Sequence, residues 1–362
     1  METCIICGKY VDTYKSYYKA PAGLVCFECG NEFKTNADNM VLQNSESKTA
    51  ISIPYSPKQI KKHLDEYVIG QDKVKEALSI AIYNHYKRLK KGDAIYPEIK
   101  IDKSNILLGG DSGTGKTYIC KTISDLIDVP FTIVDATAFT QAGYVGEDIE
   151  TILTRLYIEA NGDISKAEMG IVFIDEIDKL GMRNNIHDSS GLGVQQSLLK
   201  FLEGSIVDVP TTLSKKYERE TIQMNTDNIL FICSGAFVGL DELNEENLIN
   251  YGLIPELVGR LTVKVKTNKL TAEDFKNILT KTSNNIISQY KKLFALDGIR
   301  LDIKEDAVEL IANAAYNSRL GARSLKTILE SILHNAMYEL PKSGRKLLTI
   351  NKEYIDNLES TE

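Results

Sequence analysis

The eight residues Gly110-Asp111-Ser112-Gly113-Thr114-Gly115-Lys116-Thr117 follow a short strand-like run, Asn105–Leu108, and precede Ile119, Ile123, Leu126 and Ile127 at helical spacing. A glycine-rich turn between strand and helix lets backbone N–H groups converge on a polyphosphate, and the helix N-terminus adds a favourable dipole. Lys116 would reach the β- and γ-phosphates, and the Thr117 hydroxyl would serve Mg²⁺. Downstream, Ile171-Val172-Phe173-Ile174 runs directly into Asp175-Glu176. That order places two carboxylates at the C-terminal edge of a buried strand, where ligands of open α/β sheets sit. Asp175 would hold the metal through water. Glu176 would orient and polarise the water that attacks the γ-phosphate. An Asp-Glu pair after an apolar strand is often only a helix cap. The phosphate-binding turn upstream favours hydrolysis of a nucleotide, ATP with Mg²⁺, over that reading.

A second chemistry lies at the start of the chain. Four of the six cysteines form two Cys-x-x-Cys pairs, Cys4/Cys7 and Cys26/Cys29, with eighteen residues between Cys7 and Cys26. This spacing is that of a four-thiolate zinc site. With few aliphatic residues in the segment, metal ligation would have to supply the folding free energy that a core cannot. Four thiolates leave no open coordination position, so the Zn²⁺ would be structural. A reactive dithiol pair is the competing reading, and a metal assay separates the two. Cys120 and Cys233 lie in apolar segments and read as buried, inert thiols.

The elements that must position these groups follow from the hydrophobic pattern. The chain has 362 residues, 43% hydrophobic and 26% charged, a composition of ordinary globular domains and not of a disordered or fibrous chain. A net charge of −7 offers no general attraction to nucleic acid or anionic lipid. No apolar run approaches the roughly 20 residues of a bilayer span, and Met1 leads into Glu2-Thr3-Cys4 without an apolar leader, so a soluble, cytoplasmic protein without membrane partners is expected. Apolar runs at Asn105–Leu108, Phe131–Val134, Ile171–Ile174 and Ile229–Cys233 alternate with amphipathic stretches. This is the pattern of a parallel sheet with crossover helices, an α/β fold. Composition turns to Asn, Ser, Thr and Lys from about Lys34 to Pro57, reading as a linker. After about Asn268 the pattern becomes mainly helical, starting at Thr271 with Asp274 as a capping pair. One short strand, Ile299 to Ile303, separates helical stretches around Ala307–Ala315 and Ser324–Tyr338. The domains expected are a zinc module over 1–45, a linker over 46–57, a large ATPase domain over 58–267 and a small domain over 268–362.

Taken together, these motifs closely resemble the ClpX family of AAA+ protein unfoldases, almost end to end. The four-cysteine module is similar to that family's amino-terminal zinc domain, which implies dimerisation and reception of adaptors or substrates. Tyr67-Val68-Ile69-Gly70-Gln71 and Tyr83-Asn84-His85-Tyr86 resemble the stretch lining the family's adenine pocket, which implies base contacts for Val68 and Ile69. Gly143-Tyr144-Val145-Gly146 resembles the loop that projects into the pore of a hexameric ring and grips an unfolded polypeptide. A Tyr-Val pair between glycines suits sequence-tolerant apolar contact. The segment Gly252–Arg260 resembles the one that supplies an arginine finger, which implies that Arg260 reaches the neighbouring subunit's nucleotide and neutralises charge there. Gly321-Ala322-Arg323 resembles the second sensor, with Arg323 contacting phosphate in cis. Ser234 stands where related ATPases place a polar first sensor. The implied fold is an AAA+ P-loop NTPase with a small, mainly helical C-terminal AAA+ domain. The implied activity is ATP-driven unfolding and threading of polypeptide by a homo-oligomeric ring.

The chain also departs from the family. Only sixteen residues separate Phe237 from Ile254, where bacterial relatives carry a longer insertion with an aliphatic-Gly-Phe tripeptide that docks on the ClpP peptidase. No such tripeptide occurs in this chain, so the usual complex with ClpP is not expected. Lys215-Lys216-Tyr217 stands where many relatives have Arg-Lys-His, and the segment Gly181–Gly193, matching another pore loop, is short. Both differences bear on substrate choice. Two other functions compete: a remodelling ATPase that acts on one partner without threading it, and a nucleic-acid motor, which the negative charge and the aromatic pore loop disfavour.

Overall fold

The computed structural model describes residues 3, 4, 7, 17–20, 23–26, 29, 55–89, 99–139, 148–181, 189–213, 220–318, 320–341 and 343–359. By its internal contacts the chain divides into Met1–Ala50 and Ile51–Glu362. In the first unit, β1 (Tyr17–Ala20) pairs antiparallel with β2 (Gly23–Cys26), so that Cys26 ends the hairpin opposite Tyr17.

The second unit is built on a five-stranded sheet. β3 (Ile106–Gly109), β4 (Phe131–Asp135), β5 (Ile171–Asp175), β8 (Leu230–Gly235) and β9 (Val263–Lys266) lie in the order β4-β5-β8-β3-β9, every pair parallel. Parallel strands require crossovers, and helices run over both faces. Ile106 and Leu108 of β3 pack with Ile171, Phe173 and Ile232 against the helices Pro57–Tyr67, Asp72–Arg88 and Lys116–Ile127. Leu107, Val172, Ile174 and Phe231 point the other way, to a core that includes Leu153, Leu198 and Leu257. Burial on both sides explains why β3, β5 and β8 read as continuous apolar runs.

The four runs seen in the sequence are strands, and the fifth strand, β9, was not among them. Its Val-Lys-Val-Lys is half-buried along the edge, and its pairing to β3 is set by residues far apart in the chain. Also unforeseen is the antiparallel hairpin of β6 (Ile206–Pro210) and β7 (Thr221–Asn225). The helix Pro57–Tyr67 begins within the stretch read as linker. Ser56 and Gln59 form a reciprocal capping box, with the Ser56 N–H donating to Gln59 Oε1 at 2.8 Å, and Pro57 opens the first turn.

Beyond Asn268 a third core gathers Phe275, Leu279, Ile311, Leu329 and Leu333. The helix Ala272–Thr280 starts from the Thr271/Asp274 box. β10 (Arg300–Ile303) pairs in parallel with β11 (Leu347–Ile350), and the helices Glu305–Asn317 and Arg323–Glu339 pack beside them. Among the described residues no helix is long and apolar enough to cross a membrane.

One buried polar contact ties a helix to the sheet. Tyr86 is fully buried, and its hydroxyl donates to the Met169 carbonyl at 2.9 Å, just before β5. Tyr86→Phe leaves that carbonyl unpaired and is expected to lower unfolding free energy by about 1–2 kcal/mol. Denaturant unfolding of the full chain measures the loss.

Candidate functional site

All five strands of the sheet point one way, so their C-terminal ends share one edge. There Gly109 leads into the glycine-rich turn, and Asp175 ends β5. The turn is tight because side chains are excluded. Gly110, at φ +131°, would bring a Cβ within 2.0 Å of Thr267 Oγ1. Gly113, at φ +74°, would bring one within 2.3 Å of the Leu320 carbonyl oxygen. Gly115, at φ +94°, starts the helix Lys116–Ile127, a backbone conformation suited to glycine.

A cleft of about 450 Å³ opens here, lined by Ser112, Gly113, Thr114, Gly115, Lys116 and Thr117 and by the apolar Val68, Ile69 and Ile286. Asp175, Glu176 and Arg323 also line it. Gly110 and Asp111 lie at the base of the turn, where their carbonyls accept from Lys116 Nζ at 2.6 and 3.0 Å. Burial pushes the Lys116 ammonium below the ordinary lysine range, while Asp175 and Asp178 oppose that shift. The Thr117 hydroxyl sits 3.5 Å from Asp175 Oδ2, two hard oxygens side by side as a divalent cation would need. Ser234 Oγ is buried at the end of β8 without a hydrogen-bond partner among the described residues. The Lys116 ammonium, turned onto carbonyls at the wall of the cleft, fits a phosphate group, whereas Ser234 lies behind the residues that line it.

Glu176 occupies the left-handed region at φ 60°, and its carboxylate meets Lys179 Nζ at 2.5 Å. That hydrogen bond, more than any other influence, raises the Lys179 ammonium above its usual range. The sequence reading missed Lys179. It missed Asp178 as well, which is buried and accepts from the Phe237 N–H at 3.3 Å, holding the turn after β8. Arg260 does not line the cleft. Its guanidinium is half-exposed and pairs with Glu203 at 2.7 Å, while its backbone carbonyl accepts from the buried Asn105 amide at 3.2 Å. Gly143, Tyr144, Val145 and Gly146 lie outside the described residues, as do Lys215, Lys216 and Tyr217.

In the first unit, the ligand atoms of Cys4, Cys7, Cys26 and Cys29 all lie within 4.8 Å of one another. The Cys7 and Cys26 sulfurs are 3.8 Å apart. A tetrahedral ion with metal–sulfur bonds of about 2.3 Å has an edge of about 3.8 Å, so this spacing fits such an ion. The Cys26 N–H donates to Cys4 Sγ at 3.3 Å, the kind of bond that stabilises a thiolate ligand. Cys120 and Cys233 are fully buried, and burial pushes the Cys233 thiol up to about 12.

The crowding at Gly113 makes it a test of the cleft. Gly113→Ala is strained twice, by its positive φ and by the Leu320 carbonyl. Nucleotide affinity is expected to fall at least tenfold, about 1.4 kcal/mol, as read by fluorescent-nucleotide titration.

Residues 101–264 match the model of the AAA domain (Cdc48 subfamily), and residues 270–351 match that of the C-terminal D2-small domain of ClpB protein. The ATP-dependent Clp protease ATP-binding subunit ClpX of Borrelia duttonii is 41% identical over 99% of this chain and 91% of its own length. The proteins of that name from Treponema denticola and Bacteroides thetaiotaomicron are each 40% identical, over 99% and 97% of this chain and 94% of their own lengths. With likeness of that depth along nearly its whole length, and a phosphate-binding turn, paired carboxylates and four clustered thiols in place, the chain belongs to the ClpX family of AAA+ ATPases.

Proposed function

We propose that the protein is an ATP-dependent unfoldase that hydrolyses ATP in the cleft and threads polypeptide through the pore of a homo-oligomeric, hexameric ring. The observation that carries the reading is the convergence of Lys116, Thr117, Asp175 and Glu176 on one cleft beside Arg323. Bound ATP with Mg²⁺ would supply the free energy of its terminal anhydride. The chain's own groups divide the work. Backbone N–H groups of the turn and Lys116 would bind the phosphates, and Thr117 and Asp175 would hold the cation. Glu176 would position water, for which it must release Lys179. Ser234, standing where related ATPases place a polar first sensor, would respond to the γ-phosphate from behind the cleft wall. Val68 and Ile69 would face the base.

Arg260 would act on the neighbouring subunit's site, and its place outside its own cleft, half-exposed, supports that role. Arg323 lies on the first turn of a small-domain helix and would tie phosphate contact to the angle between domains. Tyr144 and Val145 would grip substrate. The four-thiolate cluster would hold Zn²⁺ structurally, leaving its domain free to receive adaptors. Neither nucleic acid nor membrane has a part in this reading, which places the protein in the cytoplasm. Because the ClpP-docking tripeptide is absent from the sequence, the ring would work without that peptidase.

Two experiments test this. Glu176→Gln is expected to retain ATP while losing more than about 100-fold in turnover, as general-base removal does. Normal hydrolysis in that variant would refute the assignment. Tyr144→Ala is expected to keep ATPase activity and lose unfolding of a tethered test domain. Unimpaired remodelling would favour the reading without threading. Separately, a pull-down with ClpP and ATP is expected to be negative, and nucleotide-dependent capture would overturn the predicted independence.

A further inference from the structure

Several contacts link the sheet domain to the small domain beside the cleft. Among them are the backbone contact of Gly113 with Gly321 and Ala322, and the bond from the Ser283 N–H to the Glu66 carbonyl at 2.8 Å. Another is made by Gln71, whose side chain has no part in the function proposed above. Gln71 follows the base-facing Val68 and Ile69, adopts φ 60°, and is only 4% exposed. Its carboxamide forms a closed pair with the backbone of Asn268. Nε2 donates to the Asn268 carbonyl at 2.8 Å, and the Asn268 N–H donates to Oε1 at 2.8 Å. The side chain thus satisfies both backbone groups where the chain leaves the sheet.

Asn268 follows Thr267, which is bound to the phosphate side. The Thr267 N–H donates to the Gly109 carbonyl at 2.8 Å, and its hydroxyl lies 2.7 Å from that of Thr114. The dipeptide Thr267-Asn268 is therefore gripped by the phosphate-binding turn on one side and by the base-facing segment on the other. It then leads into Leu270 and the helix Ala272–Thr280, whose Ile278 lines the cleft. A left-handed backbone at a non-glycine residue is held only where its surroundings determine it, and here both ends are fixed.

We propose that Gln71 is a positioning residue for the nucleotide cleft: through Asn268 it fixes the separation of base wall and phosphate turn and sets how far the small domain closes. The inference rests on the cleft being the ATP site. The amide is required in both its functions. A methionine fills the same volume with no bond to Asn268, and a glutamate keeps the acceptor but sets a carboxylate oxygen against the Asn268 carbonyl.

The sequence has no tryptophan, so Tyr338→Trp, on the exposed end of a small-domain helix, gives the full-length protein a single indole donor. Energy transfer to bound methylanthraniloyl-ADP then reports the distance from small domain to nucleotide. In this background Gln71→Met is expected to weaken binding about tenfold, the effect of losing two neutral hydrogen bonds, and to change transfer at saturation. Gln71→Glu is expected to do the same at neutral pH, and it carries the test if the methionine variant does not fold. Unchanged affinity and transfer, with only a lower melting temperature, would overturn the proposal and leave Gln71 a structural tie. Lys116→Ala serves as the separate control. If it binds methylanthraniloyl-ADP like the parent, the ATP-site reading has failed, whatever Gln71 does.

Discussion

Two glycines facing each other across the cleft set the terms for everything around them. A Cβ on Gly113 would come within 2.8 Å of Gly321 Cα, and one on Gly321 within 2.7 Å of the Ser112 carbonyl oxygen. With no side chain between them, the Ala322 N–H reaches the Gly113 carbonyl at 3.0 Å. The next residue is Arg323, so this backbone bond sets Arg323 at the wall of the cleft. The cleft is consequently a property of two domains in contact, and neither lines it alone.

The sheet supplies the other half of the arrangement. Five parallel strands bring Gly109, Asp175 and Gly235 to one edge, while burial on both faces of β3, β5 and β8 leaves those three little freedom to slide. At that edge a buried ammonium stands near two carboxylates, and the balance of desolvation against Asp175 and Asp178 governs Lys116. Glu176 stands apart, in a left-handed conformation and held by Lys179.

What could be read from the sequence was chemistry with a short reach. The turn Gly110–Thr117, the pair Asp175-Glu176 and the cysteines declare themselves because spacing alone fixes their geometry. Strands β3, β5 and β8 were legible because two-sided burial makes them almost uniformly apolar, and β4, exposed on one face, because Phe131, Ile133 and Val134 stand close together. β9 escaped because its lysines give it the look of a surface segment, and only β3, far back in the chain, makes it a strand. The Ser56/Gln59 box carried a readable signal that the polar composition around it obscured. The pairs Gln71 with Asn268 and Glu203 with Arg260 have no local signature, since each joins residues brought together only by the fold.

β3 has a further consequence. One end of this short strand opens into the glycine-rich turn. At the other, the Asn105 amide holds the Leu202 and Arg260 carbonyls at 3.1 and 3.2 Å, behind the pair of Glu203 with Arg260. Paired to β8 on one side and β9 on the other, β3 is a stiff link between the glycine-rich turn and the backbone of Arg260, so neither can be displaced without the other.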